Sequence, residues 1–186
     1  MKTPGCIIAW LLAGTVFLSA RPAEIILLRH GEKPPNDHDP NLSPLGVARA
    51  EALPALLAHS LALLTNGPPA ALFAPRSTPH GHGRRAEETI LPSGKALRLR
   101  VRTSFVAADY KKLAQQILSD HTLDGKTVVI CWVHDFIPAL AHELGVAHPP
   151  NWRGNEFDRT WVVTYDGPRA VLRNLPQHLL PGDSSE

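Results

Sequence analysis

Cysteine is nearly absent from this chain, with two in 186 residues, Cys6 and Cys131. Two can make one disulfide at most, so a small scaffold stapled by several bridges is excluded. Charge imbalance is also lacking: 19 Lys and Arg stand against 17 Asp and Glu, a net of +2. So small an excess argues against nucleic acid or an anionic membrane as a partner. There is no repeat and no biased tract, which removes solenoid, collagen-like and low-complexity architectures. No apolar run reaches the roughly 20 residues that a bilayer crossing needs. What is present is a 44% hydrophobic content, enough for one domain with a sizeable core and too little length for a second.

Residues 1–20 read as a targeting segment and not as part of the fold. Lys2 supplies a positive start, Ile7 to Leu18 is an apolar run of twelve residues, and Ala20 offers a small residue for cleavage. Cleavage after Ala23 is the other possibility. The expectation is a secreted or periplasmic protein with no stable membrane span once the leader is removed. The alternative is a protein held at the membrane by an uncleaved N-terminal anchor. Cys6 precedes the apolar run, unlike a lipoprotein cysteine. The domain proper is expected over 24–176, with 177–186 as a C-terminal tail.

Along the mature chain, strand and helix patterns alternate. Glu24 to Leu28, Ala70 to Ala74 and Thr127 to Val133 are short apolar bursts suited to buried parallel strands. Leu97 to Val101 is read as a further strand, and Thr160 to Tyr165 with Ala170 to Arg173 as a closing pair around Asp166-Gly167-Pro168. Ser43 followed by Pro44 is an N-cap and first helical position, and the spacing of Leu45, Ala48, Ala52 and Leu56 continues a helix. Further helices are expected over Arg85 to Leu91, ended by Pro92, over Asp109 to Ser119, and over Ile137 to Leu144. This order predicts an α/β three-layer sandwich, a mostly parallel central sheet flanked by helices. Ligands in such sheets collect at the carboxyl ends of the strands. Two strand ends carry reactive side chains there: Arg29-His30-Gly31-Glu32-Lys33 and His134-Asp135.

The placement of Arg29-His30-Gly31 directly after an apolar first strand, with Leu42-Ser43-Pro44-Leu45-Gly46 opening a helix, resembles the histidine phosphatase (phosphoglycerate mutase-like) superfamily. Arg85-Ala86-Glu87-Glu88-Thr89 is similar to that family's Arg-x-x-x-Thr element, and Val128 to Gly145 to its second-histidine strand and helix. The resemblance implies a phosphatase acting on small phosphorylated substrates through a phosphohistidine, without cofactor or metal. His30 would be the nucleophile, since a neutral imidazole can attack phosphorus when its other ring nitrogen donates to a fixed acceptor. Arg29, Arg85 and His134 would hold the phosphoryl oxygens, with Lys33 a looser third cation. Lys33 with Pro35 echoes the acid phosphatase and phytase branch, whose His-Asp pair is matched by His134-Asp135.

The general acid is open at this stage. Asp135 is the leading candidate, although it could equally cap the helix beginning near Ile137. Glu32 is the second. The smaller members' mid-chain Glu has no convincing counterpart, which keeps alive a non-catalytic phosphate-binding module. A mutase-like phosphotransferase ranks lower for an exported chain, as does a phosphohistidine-protein phosphatase. His80 and His82 invite a metal reading, but two histidines with no placed third ligand support none. The pocket rim is expected from the loops 34–40, 76–83 and 147–155, with Trp152 and Arg153 either clamping substrate or packing at the surface. Oligomeric state is unreadable.

Overall fold

A computed structural model describes residues 21–36 and 38–184; the expected leader, Cys6 and the last two residues lie outside them. Strand β1 (Glu24–Arg29) is buried over its whole length, as expected of a run with no polar alternation. It leads into α1 (Pro44–His59), where Ser43 Oγ accepts from Gly46 N at 3.1 Å and Pro44 occupies the first turn. Then follow β2 (Pro69–Phe73), α2 (Arg84–Leu97) and β3 (Val101–Arg102). After them come α3 (Tyr110–Ser119), β4 (Thr127–Trp132), α4 (Ile137–Glu143) and the hairpin β5 (Arg159–Asp166) and β6 (Arg169–Pro176).

The six strands form one sheet in the order β3-β2-β4-β1-β5-β6. β1 runs parallel to β4, and β2 runs parallel to β3 and β4. The β5–β6 hairpin joins β1 antiparallel. The sheet is therefore mixed, with a parallel majority and an antiparallel edge. Its alternate residues feed two cores. Ile26, Leu28, Leu72 and Val129 pack with Leu53 and Leu57 of α1 and Ile90 of α2. Ile25, Leu27, Val128 and Ile130 pack with Leu113 and Ile117 of α3 and Ile137 and Leu140 of α4.

This arrangement positions the site. The helix after β1 covers one face and the helix after β4, its parallel neighbour, covers the other. A crevice therefore opens at the carboxyl ends of these two strands, where the chain departs in opposite directions.

Two expected elements are corrected. Pro92 does not end α2, which runs to Leu97. Proline forfeits the bond to the carbonyl four residues back, but Ala86, Ile90, Ser93 and Gly94 are all buried, so helical burial continues through it. The expected strand over Leu97 to Val101 shrinks to the two residues of β3. Arg98 instead closes the helix in the left-handed conformation (φ 56°), its N–H bonded to Gly94 and Lys95 carbonyls, and Leu99 N also bonds Gly94 O at 2.9 Å.

Candidate active site

The register of β1 and β4 pairs Arg29 with Trp132, so the residues that follow each strand emerge side by side. His30 and His134 stand with ring centroids 6.4 Å apart and planes near perpendicular. His30 is 4% exposed, and its Nδ1 lies 2.7 Å from Gly31 O. A carbonyl can only accept, so Nδ1 carries the proton and Nε2 keeps the lone pair. Burial, with the charges of Arg29 and Arg85 behind it, pushes the His30 pKa down to about 3. The imidazole is neutral at any physiological pH.

The strand end is clamped from two sides. Gly31 N donates to Thr89 Oγ1 at 2.8 Å, and the same hydroxyl donates to Arg85 O at 2.7 Å. The Arg-x-x-x-Thr spacing thus puts arginine and threonine one helical turn apart, with the threonine gripping the His30 loop. On the other side, a Cβ on Gly31 would come within 2.8 Å of Gly46 O, and one on Gly46 within 2.8 Å of Glu32 N. Only hydrogen at both positions lets the loop lie against the first turn of α1.

Arg29 is 2% exposed. Its Nη1 donates to the carbonyls of Arg153, Gly154 and Glu156 at 3.1, 2.9 and 2.9 Å, and its guanidinium lies 3.9 Å over the Phe157 ring. Burial lowers its pKa to about 10, which leaves it charged. Arg85 donates from Nε to Asn41 O and from Nη2 to Asp39 O, so the 34–41 loop orients it. Arg29 Nε and His134 Nδ1 are buried with no hydrogen-bond partner among the described residues. The Arg29 Nε–H is a donor that an anionic oxygen would satisfy.

His134 has its pKa lowered by burial first and by the Arg29 charge second. Its Nε2 is 3.3 Å from Asp135 Oδ1. Asp135 is 69% exposed and lines the same cavity as His30 and Arg85, a cleft of about 510 Å³. It does not cap α4, whose N-cap is Phe136. Glu32 points its chemistry elsewhere: both its oxygens accept from Arg49, a contact that also engages Asp183. Lys33 is exposed and lies close enough to depress the His134 pKa.

The structure thus gathers His30, His134, Arg29, Arg85 and Asp135, and ties Glu32 into an ion pair. Of the expected rim, the first two loops line the cavity through His38, Pro40 and the segment from Thr78 to Gly83. The 147–155 loop instead supplies carbonyls to Arg29. Trp152 neither clamps nor sits at the surface: it is buried against Trp161, ring centroids 4.8 Å apart. Thr89 was foreseen only as the end of the Arg-x-x-x-Thr element, without its hydrogen bond to Gly31 N; Phe157 and Arg49 were not foreseen from the sequence.

A buried neutral imidazole with a fixed tautomer, beside two guanidinium groups and a carboxylate, can attack an anionic centre and stabilise the charge it carries. No family model matches the sequence and no curated protein does. Solved structures do resemble it. A mycobacterial glucosyl-3-phosphoglycerate phosphatase, solved with inorganic phosphate, aligns over 81% of this chain and 95% of its own, with a TM-score of 0.55 and 18% identity. An Escherichia coli protein designated an alpha-ribazole-5'-P phosphatase aligns over 84% and 97%, with a TM-score of 0.57 and 13% identity. An Agrobacterium tumefaciens protein designated a phosphohistidine phosphatase, SixA, aligns over 83% and 97%, with a TM-score of 0.51 and 17% identity. At these identities the likeness is one of fold.

Proposed function

We propose that this chain is a phosphatase of the histidine phosphatase superfamily that hydrolyses phosphate monoesters through a phosphohistidine at His30. One observation carries the reading: a buried, neutral His30 whose Nδ1 proton is committed to Gly31 O, leaving Nε2 as the nucleophile beside Arg29 and Arg85. The phosphatase names borne by three proteins of the same fold support it. So does the order of the sequence elements around Arg29-His30-Gly31.

In the proposed reaction, the Nε2 lone pair forms a bond to phosphorus as the ester P–O bond breaks. The departing oxygen takes a proton from the Asp135 carboxyl. Arg29, Arg85 and His134 carry the negative charge of the non-bridging oxygens, with Lys33 a further cation at the mouth. Water then attacks phosphorus, gives its proton to the Asp135 carboxylate, and the N–P bond breaks to release inorganic phosphate. Residues 1–20 would direct the enzyme out of the cytoplasm, to be checked by N-terminal sequencing of exported protein.

The test compares wild type with His30→Ala and Asp135→Asn on phenyl phosphate and on an aryl phosphate with a better leaving group. His30→Ala should lose roughly a thousandfold or more in kcat, and wild type alone should yield an acid-labile, base-stable phosphoprotein when quenched. Asp135→Asn should lose about a hundredfold or more on the poor leaving group and far less on the good one. Equal phosphate release by wild type and His30→Ala would leave a phosphate-binding module, not an enzyme.

A further inference from the structure

His80 and His82 flank Gly81, and their loop is closed on itself. Gly81 N donates to Thr78 O at 2.9 Å, Thr78 N to His82 O at 3.0 Å, and His82 N to Thr78 Oγ1 at 3.2 Å. Gly81 has φ 79° and presses flat on Pro40, whose ring a Cβ at Gly81 would overlap. Only glycine fits a contact that close with that backbone. Pro40 belongs to the opposite rim loop, which also carries His38. The contact therefore brings His38, His80 and His82 to one wall of the cavity that holds His30, Arg85 and Asp135. The same cavity is also lined by the apolar Val106, Ala107, Val133 and Phe136.

All three imidazoles are exposed, and none has a hydrogen-bond partner among the described residues. Among the described residues, the acidic groups of these loops and of the helix after them are already engaged. Asp39 accepts from Asn41, Glu87 from Ser77, and Glu88 from Arg84 and Leu42 N. Of the cations on the same loops, Arg76 reaches Ser104 O and Arg84 pairs with Glu88, while Arg85 faces the cavity. Asp135 is the one carboxylate lining the cavity among the described residues. Among the described residues no three His, Cys, Asp or Glu side chains are grouped to hold a metal ion. The wall suits an extended ligand carrying oxygen acceptors more than a single cation. A cleft of about 510 Å³ lies within the range of roughly 300–1,000 Å³ common for small-molecule sites, leaving room for the alcohol part of an ester.

We infer that His38, His80 and His82 form a second anion subsite, and that the substrate is a phosphate monoester whose alcohol carries a further carboxylate or phosphate group. This rests on the phosphatase reading for the position of the first phosphate. The test measures KM for phenyl phosphate and for its 2-, 3- and 4-carboxylated forms in wild type, His80→Gln/His82→Gln and Gly81→Ala. A sugar bisphosphate is included as a phosphate-bearing probe. Wild type should prefer at least one doubly anionic probe by tenfold or more. Both variants should bring that ratio close to one. Equal KM values for singly and doubly anionic probes in wild type, or a preference that survives in the double variant, would overturn the inference. The matching non-hydrolysable phosphonates, titrated calorimetrically, give the same comparison without turnover. If no ester is hydrolysed but the carboxylated phosphonate still binds tenfold tighter, the phosphatase reading fails and the subsite stands.

Discussion

Each charged or titratable residue at this site is set by what it touches. His30 refuses a proton down to about pH 3 in the fold, whereas an unfolded histidine takes one near 6.5. Between those values the unfolded chain binds a proton that the native chain does not. Stability should therefore fall as pH drops below about 6.5, by up to roughly 1.4 kcal/mol per pH unit from this group. His30→Asn keeps a donor for Gly31 O and removes the titration. Urea melts at pH 7 and 5 should show wild type losing about 1–2 kcal/mol more than the variant; equal losses would mean that His30 is not held neutral. The residues legible in the sequence were those at strand ends, His30 with Arg29 and His134 with Asp135, because a polar group just past a buried strand announces itself. Phe157 and Arg49 were not legible, since both reach their partners across long stretches of chain.

Elements act here through close approach. The β1 loop and the first turn of α1 meet at Gly31 and Gly46, and a Cβ at Gly46 would overlap the Glu32 carbonyl. Both contacts are backbone, which cannot rotate away as a side chain can. Gly46→Ala should destabilise by about 2–3 kcal/mol and lower kcat more than it raises KM, because it displaces the segment carrying His30. Thermal melts and steady-state kinetics check this; a variant that melts and turns over like wild type would show that the loop can move aside. The strand and helix order was readable from apolar periodicity. The lengths of α2 and β3 were not: a proline and a run of alternating arginines mimic a helix end and a strand, and only burial in the folded chain overrides them.

Across the whole molecule, the 177–184 segment completes the domain instead of trailing from it. Arg49, 4% exposed, donates to Glu32, Gln177 and Asp183, and Asp183 also accepts from Leu179 and Leu180 N–H. One buried guanidinium thus ties the segment after β6 to the loop after His30. Asp183→Ala should cost about 3 kcal/mol, since it leaves a buried charge short of a partner. Chemical denaturation measures this, and a loss below about 1 kcal/mol would mean solvent replaces the carboxylate.

The scarcity of cysteine has a practical side. Cys131 lies in the central strand β4, fully buried, with its thiol pushed well above the usual range by burial. A thiol-reactive dye can meet it only when the sheet opens. Its labelling rate is then a built-in clock for global unfolding, needing no engineered probe. Cys6 belongs to the expected leader, so a second thiol titrated in denaturant would report that the leader is still attached.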